Sequence, residues 1–119
     1  MAIYLDNAAT SSPKPDCVIR AVARALTEGN ANPGRSGHAR SLQAGRETLM
    51  CRETIANLLG AEDALCVIFA FNCTDALNLA IKGSLRRGDH VISSMIEHNS
   101  VLRVLKGLER GGQIELTLV

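Results

Sequence analysis

Leu65-Cys66-Val67-Ile68-Phe69-Ala70-Phe71-Asn72-Cys73-Thr74-Asp75 is the stretch on which the reading of the fold turns. The apolar run Leu65 to Phe71 carries no charge, as expected for a strand covered on both faces, and it stops at Asn72, a residue suited to cap a helix. Thr74 to Leu85 then has the pattern of a helix. Downstream the alternation repeats. Asp89 to Met95 reads as a second strand, Asn99 to Arg110 as a helix with Val101, Leu105 and Leu108 inward, and Gly111-Gly112 as its stop. The last run, Gln113 to Val119, alternates apolar and polar residues over most of its length, which suits an edge strand. Short apolar runs separated by helical segments mark βαβ units, so the fold class is α/β with a mostly parallel sheet flanked by helices.

Upstream of Gly60 the period is helical. Val18, Val22, Ala25 and Leu26 predict a helix from about Asp16 to Glu28, with Gly29 as a residue able to take positive φ at its end. Asn30 to Gly37 concentrates turn formers and predicts a loop. A long helix from about His38 to Leu59 follows, packing by the stripe Leu42, Leu49, Ala56 and Leu59, with Glu53 off it and Gly60 as the stop. Before all of this, Ile3 to Leu5 is a short extended arm, and Asp6 to Pro15 is a turn-rich segment.

Composition narrows the function classes. The 119 residues carry a formal charge of +1 and 3% aromatic residues, with Arg86-Arg87 as the nearest thing to a basic cluster, so neither nucleic acid nor an anionic membrane is an expected partner. There is no signal-like start and no apolar run long enough to span a bilayer, and a cytoplasmic location is expected. Cys17, Cys51, Cys66 and Cys73 lack C-x-x-C spacing; two of them sit in apolar segments, where cysteine packs as a small hydrophobe, and neither disulfides nor a zinc site are expected. The histidines have no second ligand at metal-binding spacing.

Two spots carry candidate chemistry, each beyond the carboxyl end of a predicted strand, where open α/β sheets bind ligands. At Asn72-Cys73-Thr74-Asp75 the first-turn N–H groups and the Thr74 hydroxyl suit an anion such as phosphate; the plainer alternative is a capped helix with Asp75 complementing the dipole. No Walker or dinucleotide glycines are present. At Glu97-His98-Asn99-Ser100 a histidine can stack on a flat heterocycle and move protons, or can be a surface residue of a connecting loop. His90, at the other end of its strand, has only the surface role.

In this order, Tyr4 to Thr10, Asn32-Pro33, Gly37-His38, Asn72 to Ala80, Gly88 to Ile92 and Glu97 to Val101 resemble the cysteine desulfurases and selenocysteine lyases of the class V aminotransferase family, fold-type I pyridoxal-phosphate enzymes. The resemblance covers essentially the whole chain. It implies residues 1–15 as an arm belonging to a smaller domain, and 16–119 as the first part of the cofactor-binding large domain. It further implies that Cys73, Thr74 and Asp75 hold the phosphate of pyridoxal 5'-phosphate and that His98 stacks on the ring and acts as acid or base. Asn7, Ala8 and Ala9 would line the substrate pocket from the arm, and His38 would approach it from the loop. Asn72-Cys73 and Asp75 stand where the family often has a small pair and Glu.

In such enzymes the cofactor is the electron sink for Cα deprotonation of cysteine or selenocysteine, an enzyme thiolate takes the sulfur, and alanine leaves. A sulfur-acceptor protein and a homo-oligomer are implied partners. Members are about three times as long, and their Schiff-base lysine, pyridine-nitrogen aspartate, carboxylate-binding arginine and persulfide cysteine match nothing here. Of Lys14, Lys82 and Lys106, Lys82 sits two helical turns past Thr74, too far for the Schiff base, and reads as a surface residue. Another class V aminotransferase, or a non-catalytic binding or assembly module, are the alternatives. The resemblance also places the strand at Leu65 to Phe71 at one side of a sheet whose next two strands lie at the other. These residues alone would leave open edges, so three strands closed into a smaller sheet, or a second copy covering the edge and the stripe of the long helix, are expected.

Overall fold

The computed structural model describes residues 3–29, 31–35 and 37–119. Asn30 and Ser36, within the expected loop, lie outside the described residues. The chain divides into two compact units, Met1–Val67 and Ile68–Val119, and the expected arm 1–15 falls inside the first.

In the first unit α1 spans Asp16–Thr27 and α2 spans Ala39–Leu59, followed by a 3-10 turn at Ala64–Cys66. Helix α1 begins at Pro15, whose carbonyl accepts from Val18 and Ile19, and Asp16 complements the dipole. It ends without the expected positive φ at Gly29: the chain simply continues the right-handed turn, with the Glu28 N–H on the Arg24 carbonyl. The stripe Val18, Val22 and Leu26 is exposed, since α1 packs against no other described element.

Helix α2 keeps its predicted bounds but packs differently from the expected stripe. Its buried and half-buried residues are Ser41, Ala44, Gly45, Thr48, Arg52, Ile55 and Ala56, whereas Leu42, Leu49 and Leu59 are exposed by 51%, 46% and 74%. On a helix advancing about 100° per residue, the packed side is centred roughly 90° away from Leu42 and Leu49. Small side chains let the loop and the 3-10 turn lie close, as the Ser41 hydroxyl shows by donating to the Asn32 carbonyl at 2.8 Å. The helix stops at Gly60, whose φ of 69° allows the Ala61 N–H to close on the Ala56 carbonyl at 2.9 Å.

The second unit holds α3 (Cys73–Ser84), β1 (Asp89–Ser93), α4 (Asn99–Arg110) and β2 (Ile114–Leu118). Strands β1 and β2 pair in parallel, with Asp89 opposite Ile114 and Ser93 opposite Leu118, and α4 is the crossover between them. Buried Val104, Leu105 and Ile114 form the core under this crossover. Each stabilises by about 1.5–3 kcal/mol relative to exposure. His90 spans the ladder, its Nε2 lying 2.8 Å from the Thr117 hydroxyl.

Leu65 to Phe71 is not a strand. It begins as the 3-10 turn and then runs without regular structure, and among the described residues the sheet has two strands, not three. A ladder needs a hydrogen-bonding neighbour; this run lies in no sheet, and Leu65, Ile68 and Phe71 are 69%, 69% and 95% exposed. The apolar pattern identified a segment suited to burial, but its cover is not supplied by the described residues. The cysteines differ from expectation in the same way: all four are free thiols and all are exposed, so none packs as a core residue. The class is α/β, with four α-helices and a small parallel sheet among the described residues.

Candidate functional site

Helix α3 starts with a reciprocal cap. Asn72 Oδ1 accepts from the Asp75 N–H at 2.9 Å, and Asp75 Oδ2 accepts from the Phe71 N–H at 3.4 Å. The Asn72 carbonyl takes the Ala76 N–H. Of the first-turn donors this leaves the N–H groups of Cys73 and Thr74, together with the Thr74 hydroxyl, free for an anion. Asp75 serves the cap, with both its N–H and its carboxylate engaged.

Helix α4 starts at His98, which is itself the N-cap. Its Nδ1 lies 3.2 Å from the Ser100 N–H and 2.7 Å from the Ser100 hydroxyl. A backbone N–H only donates, so Nδ1 is the acceptor and the neutral ring carries its proton on Nε2. Buried Ser100 holds the exposed ring in place. The ring therefore presents an Nε2–H donor and a flat face.

Thr74 and His98 line one cleft of about 500 Å³ in the second unit, together with Asn78, Lys82, Asn99, Ser100 and Arg103. Cys73 and Asp75 are not among its lining residues. Lys82 is exposed, as the sequence suggests, yet it belongs to this lining; the spacing Thr74, Asn78, Lys82, one residue per helical turn, was the signal for it. Arg103, one turn into α4 from Asn99, also lines the cleft, with Val104 and Gly107, and carried no signal in the sequence.

The remaining candidates belong to the first unit. Asn7, Ala8 and Ala9 form an exposed turn in which the Ala9 N–H meets the Asp6 carbonyl and Asn7 Oδ1 accepts from the Ser12 N–H at 3.1 Å. Tyr4 braces it by donating to the carbonyl of Asp6 or Thr10, at 2.9 and 3.0 Å. His38 caps α2 as His98 caps α4, with Nδ1 accepting from the Ser41 N–H at 3.2 Å.

The second unit is thus an α/β parallel crossover whose neighbouring helix starts present the Cys73 and Thr74 N–H groups and the imidazole of His98. The aminotransferase class-V family model matches residues 3–119, and the chain belongs to that family. It is 38% identical over 113 residues to a cysteine desulfurase of Nostoc sp., covering 92% of this chain and 28% of that protein. A probable cysteine desulfurase of Vibrio cholerae is 35% identical over 102 residues, 82% of this chain and 25% of the relative. The apo structure of a cysteine desulfurase from Thermococcus onnurineus NA1 superposes with a TM-score of 0.84 at 28% identity, over 98% of this chain and 30% of that one. The chain thus spans between a quarter and a third of the length of these relatives.

Proposed function

We propose that these residues are part of a pyridoxal-phosphate-dependent cysteine desulfurase, acting on cysteine or selenocysteine, releasing alanine and passing the sulfur to an acceptor protein. The observation that carries the reading is the meeting of Thr74 and His98 in one cleft. The residues fit the cofactor: the Cys73 and Thr74 N–H groups and the Thr74 hydroxyl suit its phosphate, and the His98 ring suits its pyridine face. When bound, the cofactor supplies an electron sink for the substrate Cα. Because its Nδ1 is an acceptor, the neutral His98 ring offers its Nε2–H as a hydrogen-bond donor and cannot take a proton there. Asn7, Ala8, Ala9 and His38 are assigned to the substrate side of the site, and the lysine that holds the cofactor is assigned to sequence beyond these 119 residues. No described helix is long and apolar enough to cross a membrane, in keeping with the cytoplasmic location proposed here.

The test has two parts. A longer protein containing these residues should show the visible absorption of lysine-bound pyridoxal phosphate and form alanine from cysteine. A colourless protein that cannot be reconstituted would reject the reading in favour of a binding module, and turnover of another amino acid would move it to a different class V activity. The 119-residue chain alone has phosphate contacts and ring stacking only, which support binding of about −4 kcal/mol, or roughly millimolar affinity. Titration should show this weak binding, about tenfold weaker in Thr74→Val, and no alanine formation.

A further inference from the structure

His38 and His98 cap their helices through the same ring nitrogen, and what separates them is one hydroxyl. His38 Nδ1 accepts from the Ser41 N–H and His98 Nδ1 from the Ser100 N–H, both at 3.2 Å. That length is at the long end for a hydrogen bond, and any residue but proline at position 41 or 100 would supply the same donor. The two hydroxyls go different ways. Ser41 Oγ turns from the ring and donates to the Asn32 carbonyl at 2.8 Å, whereas Ser100 Oγ lies 2.7 Å from His98 Nδ1. Because Nδ1 already faces an amide donor it carries no proton, and in the shorter contact the hydroxyl donates.

Ser100 is 7% exposed, and its hydroxyl has no other partner among the described residues, so its hydrogen is committed to the ring. It bonds no backbone group, and the helix start is complete without it. The exposed ring gains instead: two donors now converge on Nδ1, where an unrestrained imidazole would turn about both side-chain torsions and exchange tautomers. We propose that Ser100 is the positioning residue of the cleft, its hydroxyl fixing the plane and the tautomer of His98 and leaving Nε2–H as the one donor of the neutral ring. Its value to catalysis rests on the reading of this cleft as a pyridoxal-phosphate site, since a ring ordered beforehand meets a flat cofactor at less entropic cost.

The chain has three histidines, so isotope-labelled histidine gives a nuclear magnetic resonance spectrum in which the tautomer of each neutral ring is read from its two nitrogen shifts, with no cofactor added. His98 should favour the Nε2–H form more strongly than His38 does. Ser100→Ala, which keeps the backbone donor, should lower the ratio of Nε2–H to Nδ1–H forms at His98 on the order of fivefold, and Ser100→Thr, which keeps the hydroxyl, should restore it. Helix content by circular dichroism should stay the same throughout. A ratio unmoved in Ser100→Ala, or lowered equally in Ser100→Thr, overturns the proposal. In the longer protein, Ser100→Ala should retain the absorption of bound pyridoxal phosphate but weaken the circular dichroism of that band; an unchanged band alongside a shifted tautomer rejects the role of the hydroxyl in the site. A longer protein that binds no cofactor rejects the cofactor reading instead, while the tautomer ratio still decides what Ser100 does to His98.

Discussion

Asn72, His38 and His98 each satisfy the start of a helix with a side-chain acceptor, but only His98 combines that work with a place in the cleft. The two roles separate by substitution. His98→Asn keeps an acceptor at the cap and should change unfolding free energy by less than about 0.5 kcal/mol, whereas His98→Ala should cost about 1 kcal/mol. Both remove the ring, so both should abolish stacking with pyridoxal phosphate, read as loss of its fluorescence change on binding. Asn72→Ala should cost a similar ~1 kcal/mol, and Asn72→Asp should restore most of it. Thermal melts of the four variants, set beside the titrations, would show whether cap and site are distinct. The sequence made Thr74 and His98 visible because each follows a segment whose pattern is interrupted by polar residues. That His98 accepts at Nδ1, and so is a donor at Nε2, was not visible: it depends on the position of the Ser100 N–H in space.

At the scale of elements, α1, α2, α3, α4, β1 and β2 all lie within a residue or two of where periodicity and stop signals put them. Helical period and glycine stops are local, so they survive in sequence. What failed were the inferences about what Leu65 to Phe71 and the stripe of α2 touch. Leu65 to Phe71 has a strand's composition without a ladder, and Leu42 and Leu49 have a core stripe's spacing without a core. Burial is a property of neighbours, and the packed side of α2 is made of Ser41, Ala44, Gly45 and Ala56, whose small size gives a weak hydrophobic signal. The β1–α4–β2 crossover is the exception, because its partners are close in sequence: of the expected inward residues Leu105 is buried and Val101 and Leu108 are half-buried, while buried Val104 and Ile114 complete its core. Leu105→Ala, at a position 3% exposed, should therefore cost about 2–5 kcal/mol, and loss of the protected amides of β1 and β2 in hydrogen exchange would report it. The same substitution at Leu42 should cost under about 1 kcal/mol in the monomer.

For the whole molecule, the native area of 9779 Å² sets the sensitivity to denaturant. The unfolded chain exposes about 18,400 Å², so unfolding uncovers about 8,600 Å² where a compact domain of this mass would uncover about 12,200 Å². Since the urea m value follows the area uncovered, the monomer should show about 0.7 of the value typical for its length. A full-sized m value would mean that the surface is covered by contacts within the chain. Composition hinted at none of this: the average content of apolar residues gives no sign of how many end up in water. The crossover that closes the second unit also bears on events during synthesis. Every ladder bond and every buried apolar residue of it lies within the last third of these residues, so it can be completed only when that third has emerged, while α1 and the run through Phe71 have by then already spent time in water with their apolar side chains uncovered. A chaperone that recognises uncovered apolar segments would therefore meet the first-made part of this chain before the crossover has closed.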